Sequence, residues 1–313
     1  MTEEIRNVII VGSGPAALTA ALYNSRANLK PLLFAGSAWG GQLMLTTDVE
    51  NYPGFPEGIL GPELMKKFRD QAERFGTEII DTEATGVDFK KRPFGVTAGG
   101  KTYSAKSVII ATGAETNWLG LPNEKKLIGR GISSCAPCDA FFFRDKKVIV
   151  VGGGDSAMEE ALTLTKFASE VAIIHRRDEF RASKIMLDRA KKNDKIKFIT
   201  DTVVTDVLGE AKVEGVKTKN VKTDVESEIT IDGMFVAIGH SPVTKIFEGQ
   251  IELDEKGYVK KMENGMNFRM MTSVEGVFVA GDVHDFHYKQ AVTAAGFGCQ
   301  AALEVERWIE MNE

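Results

Sequence analysis

Two cysteines separated by two residues are the side chains best suited to do chemistry in this sequence. Cys135 and Cys138 are followed directly by an acidic residue, Asp139. This spacing is typical of a redox-active dithiol, of half of a zinc site, or of an inert pair in a protein core. Zinc would need two further ligands at suitable spacing, and the remaining cysteine, Cys299, does not supply them. Because the neighbouring residues are polar, we favour a redox dithiol and predict no metal site.

The composition limits the classes of protein to which the chain can belong. Its 313 residues are 43% hydrophobic and 27% charged, as in a globular protein of about two domains. A net charge of −5 without a long basic run argues against nucleic-acid binding. No apolar stretch approaches the roughly 18 residues that cross a bilayer, and the run at residues 8–11 is too short for a signal-peptide core. We therefore expect a cytoplasmic protein that is not bound to a membrane.

A glycine-rich turn occurs twice, each time between a short β-branched run and a helical pattern. The first turn is Gly12-x-Gly14-x-x-Ala17 and the second is Gly152-x-Gly154-x-x-Ala157. In such a turn the first glycine permits a tight bend, the second lets a pyrophosphate approach the backbone, and the small third residue lets helix and strand pack closely. The free N–H groups of the following helix then face the pyrophosphate. Two such turns predict two bound dinucleotides.

The elements around the two turns predict an α/β fold with two Rossmann-like dinucleotide-binding domains, of the three-layer type that binds FAD or NAD(P). Each turn begins a strand–turn–helix–strand unit, and each repeat closes with an apolar strand before a glycine. The last strand and helix, after about residue 246, belong to neither repeat, so we expect them to complete the first domain. The first domain is therefore predicted over residues 1–115 and 246–313. The second, over residues 116–245, is inserted into it and carries the cysteine pair.

The residues after the second strand of each repeat indicate which nucleotide it binds. An acidic residue there binds ribose hydroxyls, whereas cations favour a 2′-phosphate. After the second turn this position carries His175-Arg176-Arg177, with Arg181 one helical turn further on. We therefore predict NADPH rather than NADH for the second domain, the alternative being an exposed basic cluster paired with the neighbouring acids Asp178 and Glu179. After the first turn the expected acid is missing.

Together these motifs resemble the low-molecular-weight thioredoxin reductases along essentially the whole chain. The matching stretches include Gly12-Ser13-Gly14-Pro15-Ala16, Gly40-Gly41-Gln42-Leu43, Glu50-Asn51-Tyr52-Pro53-Gly54, Gly281-Asp282-Val283 and Tyr288-Lys289-Gln290-Ala291, besides residues 135–139, 152–161, 175–181 and 237–242. The resemblance implies an enzyme that passes electrons from NADPH, through FAD, to a Cys135–Cys138 disulfide and then to thioredoxin. It also implies that FAD binds the first domain and NADPH the second, and that the enzyme is a homodimer.

The resemblance assigns roles to individual residues. Cys138 is expected to meet the flavin, Cys135 to attack the disulfide of thioredoxin, and Asp139 to donate a proton nearby. The residues expected at FAD are Ser13, Gly14, Pro15, Ala16, Gly41, Gln42, Asn51, Val87, Asp282, Lys289, Gln290 and Ala291. Those expected at NADPH are Gly154, Ser156, His175, Arg176, Arg177, Arg181, Ile238 and Tyr258.

Several positions depart from the family pattern. Pro137 stands where threonine is usual, which should stiffen the loop and affect the potential of the disulfide. Lys289 replaces the commoner arginine and loses a fork-shaped donor. His284 and His287 lie three residues apart beside acidic residues and could hold a metal, but nothing else completes such a site, so we expect a surface loop there.

The predicted arrangement requires motion and leaves two rival functions. The dithiol and the nicotinamide site lie in the same inserted domain, yet both must reach one flavin. We therefore expect this domain to rotate about its linkers, near residues 114–121 and 242–247. The rivals are a related flavoprotein dithiol oxidase and a flavin-based redox sensor of the same fold; the complete set of Cys135, Cys138 and Asp139 argues against the sensor.

Overall fold

In the computed structural model, which describes residues 4–262 and 268–312, the first glycine turn follows a buried parallel strand. Strand β1 (Ile5–Val11) has parallel neighbours on both sides, β2 (Leu32–Phe34) and β8 (Lys101–Ile110). Val8 and Ile10 have no exposed surface. A continuous β-branched run of this kind is typical of a strand that is covered on both faces of a parallel sheet.

The sheet around β1 has the strand order β5-β2-β1-β8-β7-β6, and β19 also pairs with β8. The remaining strands of this part of the chain are β3 (Asp48–Val49), β4 (Ile59–Leu60), β5 (Glu78–Ile80), β6 (Ala84–Asp88), β7 (Phe94–Ala98) and β19 (Val277–Val279). Strand β8 is long enough to have two neighbours along one edge. Its residues 101–105 pair antiparallel with β7, and its residues 108–110 pair parallel with β19.

Two helices pack closely beside the first glycine turn. Helix α1 (Pro15–Arg26) begins directly after Gly14 with a proline, which is tolerated because the first N–H of a helix has no intrahelical acceptor. Helix α7 (Ala291–Asn312) lies so near α1 that a Cβ on Gly298 would be 2.2 Å from the backbone oxygen of Ala16. The third long helix, α2 (Gly61–Arg74), buries Leu64 and Met65 and exposes its charged residues except Arg69, which is half-buried.

Residues 116–240 repeat this plan around the second glycine turn. Strand β11 (Lys147–Val151) lies between parallel β12 (Glu170–Ile174) and β17 (Gly233–Val236), in a sheet of order β10-β17-β11-β12-β13. The other elements are β10 (Ile132–Ser133), β13 (Ile196–Ile199), the antiparallel strands β14 (Thr202–Leu208), β15 (Gly215–Asn220) and β16 (Glu226–Thr230), and the helices α3 (Glu124–Leu127), α4 (Ala136–Asp139), α5 (Asp155–Leu164) and α6 (Lys184–Lys191).

The chain divides into two compact units, residues 1–115 with 241–313 and residues 116–240. The segments that join them, β9 (Ala114–Thr116) and β18 (His240–Pro242), pair as a two-stranded sheet. The first unit resumes at Ser241, slightly before the predicted boundary at residue 246. Two sheets whose central strands run parallel, each with a glycine turn after one of those strands, confirm the predicted α/β fold class. Within the described ranges, no helix is both long and apolar enough to span a membrane.

Candidate active site

The cysteine pair forms a disulfide at the beginning of the short helix α4. Cys135 and Cys138 are joined by an S–S bond of 2.05 Å. Cys135 is the residue before the helix, and its carbonyl oxygen accepts the N–H groups of Cys138 at 3.2 Å and Asp139 at 3.1 Å. The disulfide therefore closes a single helical turn, with both sulfurs on residues that are only partly buried.

Asp139 is positioned to hold a proton beside this disulfide. Burial raises the pKa of its carboxyl group, and a hydrogen bond with the Ser133 hydroxyl partly offsets this increase. The same Ser133 oxygen accepts the N–H of Cys135 at 3.0 Å. Because β10 fixes Ser133, one hydroxyl group links the acid to the backbone of the first cysteine.

A second carboxyl group at this turn, that of Glu160, was not predicted from the sequence. Glu160 on α5 accepts the N–H of Ala136, which lies inside the Cys-x-x-Cys turn, at 2.5 Å. The sequence carries a weak signal for it, because Glu160 directly precedes the buried Ala161 and lies one turn after the buried Ala157. A charged, half-buried residue beside buried positions of a helix indicates a specific partner.

The first glycine turn has the geometry that a pyrophosphate requires. A Cβ on Gly12 would lie 2.1 Å from the backbone oxygen of Ala111, so only glycine fits there, whereas the space around the Cα of Gly14 is open. The Ser13 hydroxyl donates to the oxygen of Ala35 at 2.7 Å and accepts the N–H of Gly40 at 3.0 Å. Ser13 thus connects the turn to the loop that carries Gly41 and Gln42, while Pro15 and Ala16 begin the helix.

Asp282 is the most unusual ionisable group of the first unit. Its Oδ1 atom is buried and has no hydrogen-bond partner among the residues that the structure describes. Burial, reinforced by the negative charge of Asp285, raises the pKa of Asp282 to about 7. A buried carboxyl oxygen without a partner costs free energy unless a ligand donates to it. Tyr258, which was predicted at NADPH, lies in the first unit beside Phe286; burial raises its pKa, and the negative charge of Asp282 adds to this increase.

The other residues expected at FAD all lie in the first unit, and three of them, Asn51, Lys289 and Gln290, lie on its loops. Asn51 Nδ2 donates to Gln290 Oε1 at 3.3 Å, and Gln42 Nε2 donates to the oxygen of Ala114 at 3.4 Å. Lys289 has a left-handed backbone with a φ of 47°, and its N–H donates to a carboxylate oxygen of Asp285 at 3.3 Å. Ala291 begins α7, and Val87 lies half-buried in β6.

The second glycine turn rests on a histidine ring. A Cβ on Gly153 would lie 2.3 Å from Cε1 of His175, and a Cβ on Gly152 would lie 2.4 Å from the oxygen of Ala237. The ring of His175 stacks on Phe180, and Nε2 lies 3.1 Å from the backbone oxygen of Glu179. Burial lowers the pKa of His175. His175 therefore supports the turn from inside the unit.

The arginines that follow His175 face solvent. Arg176, Arg177 and Arg181 are exposed, and the backbone N–H of Arg181 donates to the oxygen of Gly153 at 2.8 Å, which ties this segment to the glycine turn. The neighbouring acid Asp178 pairs with Lys222 at 2.7 Å. Open space surrounds Gly154, Ser156 is exposed on the first turn of α5, and the Ile238 side chain is 40% exposed.

The histidines of the 284–287 segment do not converge. His284 is buried, its ring packs edge-on against Phe297, and burial lowers its pKa to about 4. His287 is exposed and stacks against Phe286. Throughout residues 4–262 and 268–312, no group of three or more potential metal ligands is found.

Each unit fits a dinucleotide on structural grounds alone. In the first, the open space at Gly14 and the buried Asp282 oxygen fit a pyrophosphate and a hydroxyl-rich chain such as that of FAD. In the second, the open space at Gly154 and three exposed arginines fit a pyrophosphate and a 2′-phosphate. These are the features that dinucleotide sites of this fold use.

Known proteins share this fold and these motifs. Residues 6–298 match the family model for pyridine nucleotide-disulphide oxidoreductase. A thioredoxin reductase of Mycolicibacterium smegmatis is 52% identical over 308 residues, which cover 98% of each chain. A bifunctional thioredoxin reductase/thioredoxin of Mycobacterium leprae (strain TN) is 52% identical over 98% of this chain and 66% of that protein. The crystal structure of thioredoxin reductase from Streptococcus pyogenes MGAS5005 is 41% identical and has a TM-score of 0.93, over 99% of this chain and 100% of that one.

The chain therefore belongs to the pyridine nucleotide-disulphide oxidoreductase family. It is an oxidoreductase, and its cofactors are FAD and NADPH, as the sequence predicts. Its full-length similarity to thioredoxin reductases confirms the narrower resemblance on which those predictions depend.

Proposed function

We propose that this enzyme is a thioredoxin-disulfide reductase that takes its electrons from NADPH. The observation that carries the proposal is the Cys135–Cys138 disulfide at the start of α4, next to the half-buried acid Asp139. Relatives that match nearly the whole chain are named thioredoxin reductases, and one of them is named a bifunctional thioredoxin reductase/thioredoxin. When bound, NADPH and FAD supply the two electrons that the disulfide needs.

The protein's own residues perform the thiol chemistry. The Cys135–Cys138 disulfide takes up two electrons and two protons, and its S–S bond is replaced by two thiols. Cys135 then loses a proton and attacks the disulfide of thioredoxin, which forms a mixed disulfide and releases one thioredoxin thiolate. Cys138 attacks the Cys135 sulfur, re-forms the internal disulfide and releases the second thiolate. The two protons shed by the cysteines return to thioredoxin, and Asp139, whose pKa burial raises, is the group that transfers one of them.

The two cofactor sites use the residues predicted from the sequence. FAD is held by residues of the first unit, and Asp282 is the acceptor for one of its hydroxyl groups. The full set is Ser13, Gly14, Pro15, Ala16, Gly41, Gln42, Asn51, Val87, Asp282, Lys289, Gln290 and Ala291. NADPH is held in the second unit by Gly154, Ser156, Arg176, Arg177, Arg181 and Ile238. His175 and Tyr258 complete the predicted NADPH set; His175 also supports the Gly153 backbone, and Tyr258 lies in the first unit beside Asp282.

Thioredoxin docks on the aromatic segment that follows the disulfide. Phe141 is 53% exposed only three residues after Cys138, and the Arg144 guanidinium lies 5.2 Å from the centre of its ring. A large exposed aromatic side chain beside an arginine is typical of a binding hot spot. The variant Phe141→Ala should raise the KM for thioredoxin but leave the reduction of a small aromatic disulfide unchanged; equal effects on both substrates would remove Phe141 from the docking surface.

The inserted unit rotates during turnover. Rotation is required because the disulfide and the nicotinamide site belong to the same unit and both must reach one flavin. A crosslink between the units that left the turnover rate unchanged would contradict rotation.

The enzyme is a homodimer in the cytoplasm. Light scattering coupled to size exclusion measures the mass in solution; a value near the 34.2 kDa of one chain would contradict the dimer.

A steady-state assay tests the proposed function. Purified, FAD-loaded enzyme is mixed with oxidised thioredoxin and either NADPH or NADH, and nicotinamide oxidation is followed together with thioredoxin thiols. We expect one thioredoxin disulfide to be reduced for each NADPH, with NADH a poor substitute. NADPH oxidation that yields hydrogen peroxide and no thiols would indicate a dithiol oxidase, and flavin reduction without turnover would indicate a sensor.

A further inference from the structure

A buried carboxylate holds the loop that leads into α7. Asp285 is only 6% exposed, and its Oδ1 atom accepts the N–H groups of His287 at 3.0 Å and Tyr288 at 3.1 Å. Its Oδ2 atom accepts the N–H of Lys289 at 3.3 Å. One side chain thus binds three consecutive N–H groups just before Ala291 begins the helix. Hydrogen bonds to an ionised acceptor are roughly twice as strong as neutral ones, so Asp285 fixes the course of this loop.

The loop needs this support because Lys289 has an unfavourable backbone conformation. Its φ of 47° lies in the left-handed region, which residues with a long side chain rarely adopt. Such a conformation persists only where the surrounding structure holds it, and the contact between the Lys289 N–H and Asp285 is one that does so. Lys289 and the two residues after it belong to the proposed FAD set, so the same contact positions part of the flavin site.

Asp285 also lies in one tight turn with Asp282. The oxygen of Gly281 accepts the N–H groups of His284 and Asp285, each at 3.1 Å, which places both acids in a single turn. Asp282 Oδ1 is buried and has no hydrogen-bond partner among the described residues. Burial first, and then the negative charge of Asp285, raise the pKa of Asp282 to about 7, whereas the positive charge of Lys289 opposes them.

We propose that Asp285 is a positioning residue of the flavin site, which fixes the backbone of residues 287–289 and, through its charge, makes the binding of FAD depend on pH. An ionised carboxylate is the stronger acceptor for a hydroxyl group, so the binding of FAD releases the proton that Asp282 holds in the flavin-free protein. The proposal rests on the proposed FAD set, in which Asp282 is the hydroxyl acceptor, but it does not depend on thioredoxin being the substrate.

The neighbouring ionisable groups leave Asp282 as the origin of this pH dependence. Tyr258 and His284 are uncharged near neutral pH, because burial raises the pKa of Tyr258 and lowers the pKa of His284 to about 4. Asp285 and Lys289 are the charged groups that act on Asp282 within the described ranges. Since the flavin-free protein binds the Asp282 proton more tightly than the flavin-bound protein does, a lower pH favours the release of FAD.

Release of FAD from the diluted holoenzyme tests the proposal. The FAD-loaded enzyme is diluted in series at several values between about pH 5.5 and 8.5, free flavin is measured by its fluorescence, and Kd is plotted against pH. We expect Kd to be constant above the Asp282 pKa of about 7 and to rise below it, by up to about tenfold per pH unit.

Asp285→Asn removes the charge and one of the two oxygen acceptors. The inflection of the curve should move down by about one pH unit, because Asp282 then ionises more easily. The plateau value of Kd should rise about 10-fold, because the new amide nitrogen cannot accept the Lys289 N–H. Asp70→Asn makes the same change at an exposed position of α2 and should reproduce the curve of the unmodified enzyme.

Asp285→Glu separates the charge from the position of the oxygens. It keeps the charge but displaces the oxygens from the three N–H groups, so the plateau should rise while the inflection stays in place. If Asp285→Asn fails to fold, Asp285→Glu tests the positioning and Asp282→Asn, which should abolish the pH dependence, tests the charge. Curves of both Asp285 variants with unmoved plateaus, or an unmoved inflection in Asp285→Asn, would overturn the proposal, as would a pH dependence that persists in Asp282→Asn. An Asp282→Asn enzyme with an unchanged plateau would instead contradict the proposed FAD set.

Discussion

The imidazole ring of His175 lies directly beneath Gly153, so that a Cβ on the glycine would be 2.3 Å from the ring. The contact joins the end of β12 to the turn that begins the preceding helix, α5. It explains why the middle residue of the second glycine turn is itself a glycine, a position for which the dinucleotide motif has no requirement. His175 is therefore buried, whereas the arginines that follow it are exposed.

Replacing this glycine should damage the NADPH site selectively. In Gly153→Ala the new methyl group and the His175 ring compete for the same space, so the turn that cradles the pyrophosphate must shift. We expect the KM for NADPH to rise by about 10-fold or more, since displacements of about 1 Å at binding loops have effects of this size. The FAD content should stay normal. Gly296→Ala, at an exposed glycine of α7 whose Cβ would meet open space, is the control for the added methyl group; a Gly153→Ala enzyme with an unchanged KM would show that the ring moves aside freely.

Much of the fold could be predicted because it depends on local patterns. The β-branched runs before the two glycine turns form buried parallel strands. A strand that is apolar at every position has apolar side chains on both faces, so both faces must be covered by other elements. Helix α1 begins at Pro15, and α7 covers the region predicted as the last helix.

The positions of several side chains could not be predicted, because they depend on contacts distant in sequence. His175 and Arg176 are adjacent, yet one is buried under the glycine turn and the other is exposed. Tyr258 and Asp282 are 24 positions apart in the sequence, and the fold of the first unit brings them close together. Glu160 contacts Ala136 across a helix–helix contact between residues 24 positions apart. No periodicity in the sequence encodes such pairs.

The exposed arginines should determine the choice between NADPH and NADH. Replacing Arg177 and Arg181 by glutamine removes two cations that can bind a 2′-phosphate, but leaves the glycine turn in place. Hydrogen bonds to charged groups contribute about 1.5–3 kcal/mol each, so the loss of both arginines should lower kcat/KM for NADPH by roughly 100-fold or more. The value for NADH should change little. Arg189→Gln, an exposed arginine of the same unit, is the control; parallel losses for both nucleotides would argue against phosphate recognition.

Asp282 should make the stability of the flavin-free protein depend on pH. Its pKa is about 7 in the folded protein, against 3.8 as its ordinary value, so the folded state binds more protons between these two values. The free energy of unfolding therefore falls as the pH rises through this window, by up to about 1.4 kcal/mol per pH unit from this group, and stays low above it. Asp282→Asn should remove this contribution and flatten the Tm–pH curve of the apoprotein.

The same substitution should weaken FAD binding, because an amide replaces a carboxylate acceptor. We expect roughly 10- to 100-fold lower affinity, read from the flavin retained after dialysis. Glu255→Gln, an exposed acid of the same unit, serves as the control for both measurements. An Asp282→Asn protein that keeps its FAD and its dependence on pH would exclude the carboxyl group from the site.

Asp139 should act as an acid during exchange with thioredoxin. Asp139→Asn leaves a side chain of the same size that cannot transfer a proton, so thioredoxin reduction should slow by about 100-fold or more. The rate of the unmodified enzyme should fall as the pH rises through the raised pKa of Asp139, and this limb should be missing from the pH profile of the variant. Asp194→Asn, at an exposed position of the same unit, should behave like the unmodified enzyme.

Trapping the mixed disulfide tests the central claim most directly. Reduced Cys138→Ser, Cys135→Ser and Cys299→Ser enzymes are each mixed with a thioredoxin that has one active-site cysteine replaced and the other activated as a mixed disulfide with thionitrobenzoate. We predict that Cys138→Ser releases thionitrobenzoate and forms a covalent complex through Cys135, and that Cys135→Ser forms none. Cys299→Ser should retain full NADPH-driven turnover with normal thioredoxin. A complex formed through Cys138, or thioredoxin turnover in either Cys135→Ser or Cys138→Ser, would contradict the account.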